Sequence, residues 1–152
     1  MNLRQKISAD LTAAMKAGDR LRLETLRTLR AVLTEKEIER RGSKAEMTSD
    51  DEIGVLSSAA KKRRESIEQF AKGGRQDLVD QETQELAIIQ EYLPKQLSLD
   101  DISAIVKEII SQIGATGPGD FGKVMPLAMK QLKGKADGKV IQELVRKNLG
   151  GA

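Results

Sequence analysis

Apolar residues recur at three- and four-residue steps in seven stretches of this chain, and each stretch stops at glycine or proline. A period near 3.6 puts such residues on one face of a helix, so the pattern predicts an all-α fold. Leu3, Ile7, Leu11 and Met15 set the first stripe, which Gly18 ends. Asp19 is placed to cap a second helix carrying Leu26, Leu29, Val32 and Leu33, running to about Arg41 before Gly42 and Ser43 break it. Ser49 and Glu52 have capping-box spacing ahead of Ile53, Leu56, Ala60, Ile67 and Phe70. That helix turns the run Lys61-Lys62-Arg63-Arg64 mainly to solvent and closes at Gly73-Gly74. Asp77 then caps a fourth helix with Leu78, Leu86, Ile89, Tyr92 and Leu93 inward, and Pro94 stops it by forcing its neighbour out of helical geometry.

Beyond Pro94 the pattern restarts. Ser98 caps a fifth helix with Ile102, Ile105, Val106, Ile109 and Ile113 inward, ended by Gly114. Asp120 begins a short sixth helix with Phe121, Val124, Met125, Ala128 and Leu132 on its apolar face. Pro126 inside it lacks a backbone donor, which predicts a kink or a late start. A seventh carries Val140, Ile141, Leu144, Val145 and Leu149 and ends at Gly150-Gly151. Residues 1–93 are therefore expected to form an N-terminal four-helix module of long hairpins. Residues 98–152 are expected to form a small C-terminal three-helix bundle, with 94–97 as the boundary. A bundle of about 50 residues lies near the lower limit for an autonomous core.

The chain contains neither cysteine nor histidine. Disulfides, thiolate nucleophiles, imidazole bases and Cys/His metal sites are thereby excluded together. No apolar run approaches the roughly 20 residues that cross a bilayer, and the N-terminus reads as a charged helix rather than a signal peptide. A reducing cytoplasm is the expected compartment, with no membrane partner. The net charge of +3 is unevenly spread. From Gly117 onward Lys123, Lys130, Lys133, Lys135, Lys139, Arg146 and Lys147 face only Asp120, Asp137 and Glu143, so this part is +4 and the remainder −1. A basic tail fits contact with a polyanion, but a plainly soluble Lys-rich helical surface explains it more simply.

Several motifs then coincide: Gly74-Arg75-x-Asp77-Leu78, Glu82-x-x-Glu85, Tyr92-Leu93-Pro94, Gly122-Lys123-Val124-Met125 and Leu132-Lys133-Gly134-Lys135-Ala136-Asp137-Gly138. With Leu26-Arg27-x-Leu29 in the second helix, they resemble the YqeY family over essentially the whole chain. The terminal third resembles the tail domain of the GatB subunit of tRNA-dependent amidotransferases. Pro126 departs from the helix-compatible residue that this resemblance leads one to expect there. The resemblance implies a two-part helical protein linked to tRNA or to a tRNA-modifying complex. It also implies a carbon–nitrogen ligase activity with glutamine as amide donor.

No catalytic centre is visible for such chemistry, and neither a cofactor nor a metal is expected. Ser57-Ser58 with Lys61 has the spacing of a hydroxyl–amine pair, but a solvated lysine stays protonated, and small helix residues beside surface lysines explain it better. Glu82 and Glu85 lie one turn apart, a spacing more typical of a solvated face than of a metal site. Asp100-Asp101 supports a helix start, and Gly117-Pro118-Gly119 lacks the spacing of a phosphate loop. Arg75 and Asp77 are expected to pair after the two glycines and fix the hairpin, with ligand binding as the other role. The basic loop Lys133–Lys139 is the leading functional site, because flexible glycines let backbone N–H groups and lysines approach phosphates, and a charged turn capped by Asp137 is the other reading. With only Phe70, Tyr92 and Phe121 as aromatics, all on apolar faces, RNA contact is expected to rest on shape and phosphate rather than on stacking. A helical protein–protein scaffold remains the third reading, since charged hairpins serve that role equally well.

Overall fold

A computed structural model of the chain describes residues 2–150. Among the described residues it is all-α, with no strand: α1 (Leu3–Ala17), α2 (Arg20–Gly42), α3 (Ser49–Lys72), α4 (Gln76–Gln90), α5 (Leu99–Ile113), α6 (Phe121–Gln131) and α7 (Gly138–Asn148). The helices fall into two compact units, residues 1–93 and 94–152. Of the Gly150-Gly151 stop, Gly151 lies outside the described residues.

The first unit packs α1 to α4 around Ile7, Leu11, Leu26, Leu29, Leu33, Leu56, Ala60 and Ile89. Asn2 closes a capping box with Gln5, Asp19 accepts the Arg22 N–H at 3.1 Å, and Gly18 takes the left-handed conformation between α1 and α2. Met15, expected inward, is 54% exposed, and Ala14 is buried in its place. Steps of four residues advance 400° around a helix, so the stripe drifts, and by the fourth member a three-residue step returns to the core. Tyr92 ties the end of α4 back to α1: its hydroxyl donates to Asp10 (Oδ2, 2.5 Å), and Lys6 lies 5.5 Å above its ring. Burial and the Asp10 carboxylate both push the Tyr92 hydroxyl far above the usual phenol range.

The capping box of α3 is formed by Thr48 and Asp51, one residue earlier than the expected Ser49 and Glu52. Asp51 accepts the Thr48 N–H and also pairs with Arg40 of α2, so a tertiary ion pair selects between two equally spaced local caps. The displaced Glu52 is partly buried and its pKa is raised by desolvation. Asp51 is held well below the usual carboxylate range, first by Arg40 and then by Thr48. A carboxylate with a depressed folded pKa contributes stability above its ordinary value of 3.8 and loses it as the pH falls further. The stability gap between the wild type and Asp51→Ala should thus be constant near neutrality and close only below about pH 4. Chemical denaturation across pH checks this; a gap that closed between pH 7 and 5 would assign it to another group.

The second unit buries Ile102, Val106 and Ile109 of α5 against Val124, Ala128 and Leu132 and against Ile141, Val145 and Leu149. Ser98 caps α5 by accepting the Asp101 N–H at 3.2 Å, and Gly114 ends it with positive φ. Ile113, expected inward, is 41% exposed, because it lies in the last turn beyond the reach of α6 and α7. A short 3-10 turn at Pro118–Asp120 leads directly into α6, so the helix does not start late. Asp120 accepts the Thr116 N–H at 2.9 Å, which anchors that turn. Pro126 and Gly122 both sit on the exposed side, so the carbonyl that loses its helical donor faces water, where the loss is cheapest.

Candidate nucleic-acid interface

In the second unit the seven basic residues from Gly117 onward lie at the two ends of the α6–α7 hairpin. Lys130 lies in the last turn of α6, Lys133 and Lys135 in the loop after it, and Lys139 in the first turn of α7. All four are exposed. At the other end Arg146 and Lys147 occupy the last turn of α7, and Arg146 lies 5.2 Å above the Phe121 ring at the start of α6. That contact fixes the two helices as antiparallel. Lys123 sits at the same end, 76% exposed and 3.6 Å from Asp120. Lys123 and Lys130 are seven residues apart on α6, which at about 1.5 Å per residue sets the two groups roughly 10 Å apart. This exceeds the roughly 8 Å screening length at physiological salt, so each group acts on an anion largely by itself.

The α6–α7 loop is not free, contrary to the expectation of flexible glycines. Gly134 adopts φ 75°, a region open to glycine, and its carbonyl accepts a bond from Gln96 Nε2 at 2.7 Å. The same Nε2 donates to Pro94 O at 2.9 Å. The Leu97 N–H reaches Lys135 O at 2.9 Å, and the Lys135 N–H closes onto Leu132 O at 2.9 Å. Residues 94–97 thus strap the loop from below while the lysine side chains stay in water. Sequence inspection missed Gln96, since a lone glutamine after a proline carries no signal of its own. Replacing Gln96 with Ala removes two bonds and should cost about 1–2 kcal/mol. Hydrogen exchange should accelerate selectively in residues 132–137; unchanged exchange there would show that the strap does not hold the loop.

The other candidates resolve differently. Arg75 and Asp77 do pair, with Nε and Nη2 donating at 3.1 and 3.0 Å, and both are exposed. Asp77 is not the cap of α4: Arg75 holds the N-cap position and makes no side-chain cap bond there, while Asp77 sits in the first turn. The Arg75 guanidinium lowers the Asp77 pKa. The expected solvated run on α3 is only partly solvated, because Arg63 and Arg64 are half-buried. Arg63 Nε stands 3.6 Å from Glu82 and 3.2 Å from Glu85 of α4, so the carboxylate pair clasps a guanidinium across the hairpin. Desolvation and the neighbouring Glu85 raise the Glu82 pKa against the pull of Arg63. Ser57 Oγ is enclosed with no hydrogen-bond partner and Lys61 is exposed, so the two are not bonded to each other. Among the described residues no group of three or more acids is placed to hold a metal ion, and no helix is long and apolar enough to cross a membrane.

Comparison with known proteins places these features in context. A family model described as "Yqey-like protein" matches residues 4–149. The mitochondrial "Altered inheritance of mitochondria protein 41" of Kluyveromyces lactis is 30% identical over 141 residues, covering 89% of this chain and 69% of the relative. Its counterpart in Lachancea thermotolerans is 32% identical over 114 residues, covering 74% of this chain and 60% of the relative. A glutamyl-tRNA(Gln) amidotransferase subunit of Methanococcus maripaludis is 31% identical over 130 residues, which are 80% of this chain but only 20% of that much longer relative.

Proposed function

The chain belongs to the Yqey-like protein family, and on that footing we propose that it is a GatB/YqeY-like accessory protein that holds tRNA, or an assembly acting on tRNA, through its basic second unit. The observation that carries this reading is the strapped loop: Lys133 and Lys135 stand on a backbone fixed by Gln96 and Leu97, between Lys130 and Lys139. A fixed array of lysines meets a phosphate backbone without having to order the loop on binding, which preserves affinity. The Methanococcus relative, part of whose length this chain resembles, is named for an enzyme of glutamyl-tRNA(Gln), and this supports tRNA as the polyanion. The absence of cysteine suits a reducing compartment such as the cytoplasm.

Titrating labelled tRNA with the purified chain at about 50 mM salt tests the reading by fluorescence anisotropy. Micromolar binding that unlabelled tRNA displaces is expected; no binding at low salt would reject it. A second reading, carbon–nitrogen ligation with glutamine as donor, is favoured by the likeness to part of an amidotransferase. Incubation with glutamine, ATP and mischarged tRNA distinguishes it, since amidated product from the pure chain would replace a binding role with a catalytic one.

A further inference from the structure

Between α5 and α6 lies a groove of about 390 Å³ lined by Ile109, Gln112, Leu127, Lys130 and Gln131. Leu127 is 43% exposed, so aliphatic surface meets water beside a lysine of the basic face. Two amides border it. Gln112 Nε2 donates to Glu108 at 3.4 Å, which leaves its oxygen available, and the Gln131 side chain is exposed.

Resting on the RNA reading, we propose that this groove receives one unpaired nucleobase of the bound RNA, packed on Leu127 with buried Ile109 at its floor and its edge read by Gln112 and Gln131. A base is a flat apolar body with donors and acceptors confined to its rim. An amide presents an N–H and a carbonyl in one plane, the pattern that pairs with such a rim. Lys130 lines the same groove and would take up the phosphate attached to that base. A site for phosphate alone has no use for the aliphatic wall. A wholly apolar peptide segment would desolvate two amides and an ammonium without pairing them. Gln112, its N–H engaged by Glu108, offers its oxygen, and the exposed Gln131 amide can turn either face, so the base type is left open.

Methyl NMR of the whole chain tests this with adenosine, a probe without phosphate. Shifts at Ile109 and Leu127, with Leu29 unmoved, are expected. In parallel, Leu127→Ser with Gln131→Ala should weaken binding of an unpaired RNA oligonucleotide about 5- to 30-fold, leave duplex RNA unaffected and keep the salt slope. If adenosine moves neither methyl, or the variant binds both RNAs as the wild type does while tRNA binding persists, the slot is wrong and the RNA reading stands. If the wild type binds no RNA, both fall. Shifts produced by an acidic amphipathic peptide and not by adenosine would assign the groove to a protein partner and overturn the proposal.

Discussion

Replacing Leu132 with Ala is expected to unfold the second unit near 37 °C while the helices of the first persist. Leu132 is fully buried and joins the core where α6 ends, against residues of α5 and α7. Removing such a side chain costs about 2–5 kcal/mol, from lost transfer energy and the cavity left behind. A unit of roughly 60 residues carries a stability of roughly 3–9 kcal/mol, so one truncation removes much of it. Leu132 also precedes the lysine loop, so the same change should abolish the fixed geometry of Lys133 and Lys135. Thermal circular dichroism with hydrogen exchange reads the result: early loss of protection in residues 99–148, with α1–α4 still protected. A variant as stable as the wild type would mean that this core is not what holds the unit together.

The second large effect concerns binding. Replacing Lys133, Lys135 and Lys139 together with Ala should weaken tRNA binding roughly 10- to 100-fold at moderate salt, because three charge-assisted contacts are lost at a solvated surface. The log–log salt slope should fall by roughly 2–3, since each phosphate contact contributes about 0.7 to 0.9. Helix content should not change, as all three residues are exposed and lie outside the packed core. Replacing Lys123, Arg146 and Lys147 should act separately and additively, because the two groups lie beyond a screening length of each other. Strong coupling between the triple variants would show a single continuous site instead.

Most of the fold was legible because helices write their buried face into local spacing, and the caps at Asp19 and Ser98 are read from one side chain each. The errors fall where a distant partner decides. Ser49/Glu52 and Thr48/Asp51 satisfy the capping rule equally, and only Arg40, eleven residues before Asp51, breaks the tie. Arg63 looks like its neighbours in a basic run until α4 brings Glu82 and Glu85 beside it. Met15 falls off the core face because four-residue steps drift around the helix, and Ile113 sits in the last turn outside the packed core. The same limit governs the candidate site. The lysines are visible as composition, whereas the strap that fixes their loop depends on Gln96, 38 residues from Gly134. Helix order and apolar spacing survive in any sequence; long-range hydrogen bonds do not.

On the proposed reading, RNA meets the basic α6–α7 hairpin of the second unit. Hydrogen exchange of the whole chain with and without saturating tRNA tests it most directly. Slower exchange concentrated in residues 130–147, with α1–α4 unchanged, is the result this account predicts. Protection confined to α1–α4, with the α6–α7 loop exchanging as in the free protein, would contradict it.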